Sequence, residues 1–169
     1  DVRRQDLTAA LEDRSAIQAT LMRVTIHMVS RRDFWPYALG VRSARRTWAL
    51  RVSGGAAAEA ALIERASRVR AALADGPRTV KELGDLGAGL IGNLGLWVDL
   101  VRVPPSGTWE RRRADRLALA ESWVGPPDAT QDDAAAHLVR AYLRAFGPAS
   151  WRDIAAWAGI SVTEARRGG

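Results

Sequence analysis

The 169-residue sequence contains no cysteine and only two histidines. The absence of cysteine excludes a disulfide framework, thiolate-bound zinc and a cysteine nucleophile. Because neither histidine has a second ligand nearby in the sequence, we expect no metal site. There is no run of about 18 apolar residues and no basic-plus-apolar leader, so we expect a cytoplasmic protein without a membrane partner.

Positive charge is the dominant compositional feature. The 25 basic residues outnumber the 19 acidic ones, which gives a net charge of +6, and Lys81 is the only lysine. Arginine binds phosphate through two parallel hydrogen bonds, so this composition favours a nucleic-acid partner. A GC-rich genome also raises the arginine and alanine content, and charge alone does not decide between the two explanations.

An internal repeat organises the rest of the chain. Residues 76–83 (GPRTVKEL) reappear as residues 147–154 (GPASWRDI), each time after a segment with apolar residues at helical spacing. In the first segment these residues are Leu62, Ala66, Val69 and Leu73, and in the second they are Leu138, Tyr142 and Phe146.

Each copy of the repeat predicts a helix, a tight stop and a second helix. The glycine is expected to end the first helix in a left-handed conformation, and the proline prevents its continuation. Thr79 or Ser150 then caps the next helix, and Glu82 or Asp153, three residues later, can return the hydrogen bond.

The sequence after the second copy is typical of a helix-turn-helix. Ala155 allows close helix packing, Gly159 supplies the sharp turn, and Ser161 with Glu164 caps a recognition helix that carries Arg166. A generic helical hairpin remains the alternative.

The sequence after the first copy predicts a winged helix. A glycine-broken helix over 86–97 precedes two strands, 98–103 and 108–113, joined by a turn at 104–107. The wing would present Arg111, Arg112 and Arg113 to phosphates or to the minor groove, although an arginine run can also be an ordinary solvated surface. The glycines at 87, 89, 92 and 95 lack the Gly-Lys-Ser/Thr ending of a phosphate loop, so we expect no nucleotide cofactor.

The amino-terminal segment is expected to hold a helix over 6–14 and an alternating strand over 22–29. Its apolar face would fill a core, and its polar face would turn towards DNA or line a cleft. The apolar face is Met22, Val24, Ile26 and Met28, and the polar face is Arg23, Thr25 and His27. A core histidine is the alternative for His27. Ser30 is expected to cap a helix with Asp33 three residues later, Pro36 is accepted in its early turns, and Gly40 is expected to bend or end it. Residues 53–58 are expected to be a linker.

These patterns predict an α+β fold, mainly helical with small β-hairpins, built from tandem winged-helix or helix-turn-helix units. The units are an incomplete first one at 1–54, a second at 55–128 with its wing at 98–113, and a truncated third at 129–169.

Three stretches resemble a bacterial winged-helix DNA-binding family that includes the azinomycin-resistance DNA glycosylases. Residues 22–30 (MRVTIHMVS) are similar to the family stretch MRGTLHLV, and residues 103–112 and 142–149 are similar to two others. The resemblance implies a concave basic surface of tandem winged helices that binds duplex DNA. It also implies hydrolytic release of N7-alkylated purines and crosslinks without deep base flipping.

The sequence departs from the family at its catalytic motif, a Gln-x-Gln or a close variant. Gln5, Gln18 and Gln131 are isolated, so no catalytic residue is assigned and we expect this chain to lack glycosylase activity. The candidate DNA-binding residues are Arg23, Thr25, His27, Arg111, Arg112, Arg113 and Arg166. A non-enzymatic transcriptional regulator and a protein-interaction module remain alternatives, and the lesion, any operator and the oligomeric state stay open.

Overall fold

A computed structural model describes residues 3–53, 55–88 and 93–169. Short 3₁₀ turns lie at Met22–Val24, Gly84–Gly87 and Asn93–Leu96. The α-helices are α1 (Arg4–Glu12), α2 (Arg31–Gly40), α3 (Arg42–Ser53), α4 (Ala56–Ala72), α5 (Ala120–Trp123), α6 (Gln131–Phe146), α7 (Trp151–Ala158) and α8 (Val162–Arg167).

The strands form one antiparallel sheet with the order β2-β1-β4-β5-β3. They are β1 (Ala16–Thr20), β2 (Ile26–Ser30), β3 (Arg78–Thr79), β4 (Leu100–Arg102) and β5 (Arg116–Leu119). β1 and β2 form a hairpin, and Gln18 of β1 pairs with Arg102 of β4. The predicted α+β class is confirmed.

One face of the sheet packs against α2. Ile17 and Ala19 of β1 lie in a buried cluster with Val101 of β4 and with Phe34 and Trp35 of α2. The indole N–H of Trp35 donates to the carbonyl of Gly125 at 2.9 Å, so the buried ring keeps its polar group satisfied. Pro36 is the sixth of the ten residues of α2 and not in its first turn, and the helix ends at Gly40, one of the two predicted outcomes.

The opposite face packs against α4. Ala66, Val69 and Leu73 are buried against Leu117 and Leu119 of β5, with Leu62 partly buried beside them. The helical spacing predicted for this segment is therefore confirmed, although α4 ends at Ala72. The predicted linker at 53–58 is wrong, because α3 extends to Ser53 and α4 begins at Ala56.

The helices α6, α7 and α8 confirm most of the pattern around the second copy of the repeat. The hydroxyls of Ser150 and Ser161 each accept a hydrogen bond from the backbone N–H three residues later. In turn, the carboxylates of Asp153 and Glu164 accept from the backbone N–H groups of Ser150 and Ser161. Gly159 has φ 72° and ψ 37°, a left-handed conformation that makes the sharp turn predicted there. Ala155 is buried between α7 and its neighbours.

Two details of this region differ from the prediction. Gly147 is extended, with φ −74° and ψ 155°, because the following Pro148 disfavours helical dihedrals at the residue before it, although the N–H of Gly147 still donates to the carbonyl of Leu143. Phe146 is 62% exposed and belongs to no buried cluster of the described chain, since it lies at the last position of α6.

The first copy of the repeat behaves differently from the second. Thr79 and Glu82 exchange the predicted hydrogen bonds, at 2.6 and 3.2 Å between backbone nitrogen and side-chain oxygen. No α-helix follows, because Arg78 and Thr79 pair with β5 and Val80 donates to the carbonyl of Asp115. The glycine-broken helix predicted over 86–97 is also wrong: its described part consists of 3₁₀ turns, and residues 89–92 lie outside the described residues.

The strand predicted over 22–29 begins only at Ile26. Residues 22–24 form a 3₁₀ turn. His27 of β2 pairs with Ala19 of β1, so it lies on the face of the sheet that packs against α2. Met22 is buried, but Ile26 is 50% exposed, and Val24 and Met28 are exposed as well. The predicted inward apolar face is therefore wrong, because the turn reverses which residues of β2 meet the core.

The predicted hairpin at 98–113 forms, but its strands have other bounds than predicted. Its first strand is Leu100–Arg102, and its second is Arg116–Leu119 instead of 108–113. Residues 108–113 lie in the connecting loop, because the apolar stretch that can pair with β4 comes after the arginines.

The three predicted units share structural elements. The strands β1 and β2, from 1–54, belong to the same sheet as the strands from 55–128. Ala134, from 129–169, lies in the buried cluster between this sheet and α2. The boundaries at 54 and 128 stay a prediction.

Candidate nucleic-acid interface

The loop over 103–115 between β4 and β5 is held in shape by one buried hydroxyl. Ser106 donates its proton to the carbonyl of Arg113 and accepts from the backbone N–H groups of Asp115 at 2.8 Å and Arg116 at 3.1 Å. A single side chain therefore fixes the end of the loop that enters β5.

An inner turn orders the middle of the loop. The N–H of Gly107 donates to the carbonyl of Arg111 at 2.7 Å. The buried hydroxyl of Thr108 accepts from the N–H of Arg111 at 3.2 Å and donates to the carbonyl of Pro105 at 3.1 Å. These bonds use the backbone, so the side chains of Arg111, Arg112 and Arg113 are all exposed.

Helix α1 packs beside the loop through Trp109 and Glu110. The guanidinium of Arg4 lies 4.6 Å from the centre of the Trp109 ring, and that of Arg112 lies 4.9 Å from it. Thr8 donates to Glu110 at 3.1 Å. Hydrogen bonds from its own backbone and from Thr8 lower the pKa of Glu110, so this carboxylate is ionised at neutral pH. Trp109 is thus covered by two cations.

A pocket of about 320 Å³ opens beneath the loop. Its lining carries three guanidinium groups, from Arg111, Arg113 and Arg116, against one carboxylate, that of Asp115. Asp115 already pairs with Arg113 at 2.7 Å. Arg111 and Arg116 therefore give the pocket a surplus of positive charge, suited to a phosphate oxygen. The other residues lining it are Thr79, Pro105 and Ser106.

Arg23 lies elsewhere, beside the turn between α7 and α8. Its side chain is exposed, and a Cβ added to Gly159 would lie 3.1 Å from its Cγ. The turn that carries Arg23 therefore contacts the α7–α8 turn. Arg166 is exposed in the last turn of α8.

The predicted polar face of Arg23, Thr25 and His27 does not form. The hydroxyl of Thr25 donates to the carbonyl of Met22 at 3.1 Å. His27 is half-buried, with Nδ1 2.9 Å from the carbonyl oxygen of Thr25. Both polar groups therefore bond within the chain, and a DNA-binding role for these two residues stays a prediction.

Sequence reasoning missed Arg4 and Arg116 beside the loop. Arg116 lies three residues after the basic run of 111–113, and this proximity could have identified it. Arg4 contacts Trp109 only because α1 folds against the loop, which no local pattern indicates.

One arginine is buried within the fold, and a second is partly buried. Arg102 is packed inside the sheet, and burial lowers its pKa. Arg45 donates to the carbonyl of Thr20 at 3.1 Å, and burial lowers its pKa to about 10. The Nε atoms of both are buried without a hydrogen-bond partner.

Every α-helix in 3–53, 55–88 and 93–169 is too short or too polar to cross a membrane. Within the same ranges, no three His, Asp or Glu side chains converge where they could hold a metal ion.

Comparison with known proteins identifies the family of this chain. Over residues 1–168 the sequence matches the family described as DNA glycosylase AlkZ-like. The chain belongs to the AlkZ-like family. The resemblance carried by residues 22–30, 103–112 and 142–149 is thereby confirmed.

A solved structure of an AlkZ-like protein shares the fold. The Streptomyces sahachiroi DNA glycosylase AlkZ superposes with a TM-score of 0.73 at 22% sequence identity. The match covers 98% of this chain and 50% of the AlkZ chain, so this chain spans half the length of AlkZ. No curated protein matches the sequence.

Proposed function

We propose that this chain is a duplex-DNA-binding part of an AlkZ-like DNA repair glycosylase. The observation that carries the proposal is the internally braced loop, which presents Arg111, Arg112 and Arg113 together. Because the loop's backbone is fixed by Ser106 and Thr108, its arginines can meet phosphates with little loss of backbone freedom.

In this proposal the loop acts as the wing of a winged helix. Arg111 and Arg116 would bind one phosphate in the pocket beneath it, and Arg112 would reach a second. Arg113 would contribute less, because it is paired with Asp115.

The helix-turn-helix would form the second contact. Its α8 is short and capped, and in this arrangement it would lie along a groove with Arg166 on the backbone. Arg23, which neighbours Gly159, would contact the same strand. The tandem winged-helix division at 54 and 128 belongs to the same proposal.

We propose a glycosylase reaction only for the intact AlkZ-like protein, and we assign no catalytic residue in this chain. Family membership supports hydrolysis of the bond between an alkylated base and its sugar. The isolated positions of Gln5, Gln18 and Gln131 support our expectation that these 169 residues bind DNA without cleaving that bond.

Binding to unrelated labelled duplexes at a series of salt concentrations tests the proposal. We expect similar affinities on all sequences and a steep salt dependence. Replacing Arg111, Arg112 and Arg113 by alanine should weaken binding equally on every duplex. It should also flatten the slope of log K against log salt by about 0.9 for each phosphate that the variant no longer binds.

The control removes the same charge elsewhere. Arg51, Arg68 and Arg140 are exposed on α3, α4 and α6, and their triple alanine variant should keep the wild-type salt slope. If the two triple variants change the DNA affinity and the salt slope equally, the loop contributes only through the net charge of the protein. A preference of about 10³-fold for one sequence would favour a transcriptional regulator, and no binding at low salt would favour a protein-interaction module.

A further inference from the structure

An apolar pocket lies where the β1–β2 turn, α3 and the helix-turn-helix meet. It has a volume of about 410 Å³, within the range of pockets that take small organic ligands. Its lining residues are Arg23, Val24, Ala44, Arg45, Trp48 and Gly159.

Trp48 is the large aromatic surface of this pocket. It is 53% exposed, and within the described chain no ring or guanidinium is stacked on it. Trp109, the other well-exposed tryptophan, is covered by Arg4 and Arg112. Trp48 therefore offers an open π-face, which the rest of the fold does not use.

The charge around the pocket favours an anionic ligand. Two of its six lining residues are arginines, and none of the six is acidic. Arg45 keeps a buried Nε–H without an acceptor, while its NH1 group is bonded to Thr20. Because its pKa is about 10, Arg45 remains charged at neutral pH.

The turn that forms one wall is strained. Arg23 has φ 50° and Val24 has φ 59°, values that a β-branched residue such as valine rarely adopts. The turn is held by hydrogen bonds from the N–H of Thr25 to Met22 and from the N–H of Leu21 to Thr25. Strain of this kind persists where the surrounding structure fixes it, and it is concentrated at ligand sites.

We propose that this pocket binds a single unstacked nucleobase of a DNA strand. The base would stack on Trp48 against Val24, and Arg23 would bind the neighbouring phosphate. This inference rests on the proposed DNA-binding function and specifies which distortion of the duplex the chain accepts. An aromatic face with an arginine beside it is the combination that binds unpaired bases without regard to sequence.

The test compares two labelled duplexes of equal length by fluorescence anisotropy, one fully paired and one with a single bulged adenine. We expect the wild-type chain to bind the bulged duplex about tenfold more tightly, the order of one base–aromatic stack. Trp48→Ala should bind both duplexes equally, and Trp48→Phe should retain most of the preference.

Val52→Ala is the matched control. Val52 is also exposed and lies one turn further along α3, but it does not line the pocket, so this variant should keep the full preference. Melting temperatures of all variants would show whether each is folded.

The outcomes separate this inference from the proposed function. If the wild-type chain binds both duplexes equally, or if Trp48→Ala keeps the preference, the pocket does not take a base, while DNA binding through the loop stands. If neither duplex binds, both proposals fail. An apolar peptide that competes with the bulged duplex, when a mononucleotide does not, would also overturn the inference.

Discussion

The side chain of Gln18 leaves no room for a Cβ at Gly107. An ideal Cβ on this glycine would lie 2.3 Å from Oε1 of Gln18 and 3.2 Å from the Cβ of Ala114. Gln18 is in β1 and Gly107 is in the 103–115 loop, so the amino-terminal hairpin sets the position of the arginine-bearing loop.

Gly107→Ala should therefore destabilise the protein for two reasons. Gly107 has φ 81°, which costs an alanine about 1–2 kcal/mol, and the clash with Gln18 adds to this cost. Gly84→Ala is the control, since Gly84 has φ 54° with no atom within 4 Å of the added Cβ. Chemical denaturation should show a larger decrease in stability for Gly107→Ala. Equal decreases would mean that Gln18 moves away freely.

The two faces of the β1–β2 hairpin should differ in their contribution to stability. Ile17 is 1% exposed, so Ile17→Ala should cost about 2–5 kcal/mol. Ile26 is half-exposed on the other face, so Ile26→Ala should cost well under half as much. Urea denaturation of the two variants measures the difference. A larger cost for Ile26→Ala would reverse our assignment of the core face.

The turn between α7 and α8 should tolerate few residues at Gly159. Gly159→Val should cost about 1–2 kcal/mol or more, because valine is strained at φ 72° and its Cβ would press on Arg23. Gly159→Asn should cost less, since asparagine adopts this conformation more readily. Thermal unfolding is the measurement, and an unchanged midpoint for Gly159→Val would contradict the left-handed turn.

His137 should make stability depend on pH below neutrality. Burial lowers its pKa below the usual value of 6.5, and Asp33, 3.5 Å away, only partly opposes this effect. The folded protein therefore binds the proton more weakly than the unfolded chain does. The stabilising contribution is complete above pH 6.5 and is lost as the pH falls through the lower pKa of the folded state.

The variant His137→Gln isolates this effect, because it removes the imidazole of His137 and leaves the rest of the chain unchanged. The melting temperature of the wild-type protein should fall more between about pH 7.5 and about pH 5.5 than that of the variant. Parallel curves would show that His137 is protonated equally well in the folded and unfolded states. The other charged groups that act on His137 are Arg32, Arg140 and Arg144.

The sequence predicted those features that depend on residues close together in the chain. The caps at Ser150 and Ser161 and the left-handed Gly159 depend on hydrogen bonds within a few residues, and all three were predictable. The apolar face of α4 was predictable because one helix face repeats along the sequence.

Features that depend on distant partners were not predictable. Thr79 has the capping pattern of Ser150, but its backbone pairs with β5, and this pairing replaces the expected helix. β1 was missed because AIQAT contains too few β-branched or aromatic residues to indicate a strand. For the candidate site, the exposed arginines were predictable, whereas the contact of Arg4 with Trp109 and the pocket at Trp48 depend on how separate elements pack.

The strand order has a consequence for synthesis on the ribosome. β1 is made early, but its second neighbour in the sheet, β4, begins only at Leu100, and β4 itself pairs with β5. At about 5–20 residues per second, the hairpin of β1 and β2 waits several seconds with one edge unpaired. Such an edge can pair with another chain until β4 has been made, so the nascent protein exposes this edge for longer than any other part of the sheet made by then.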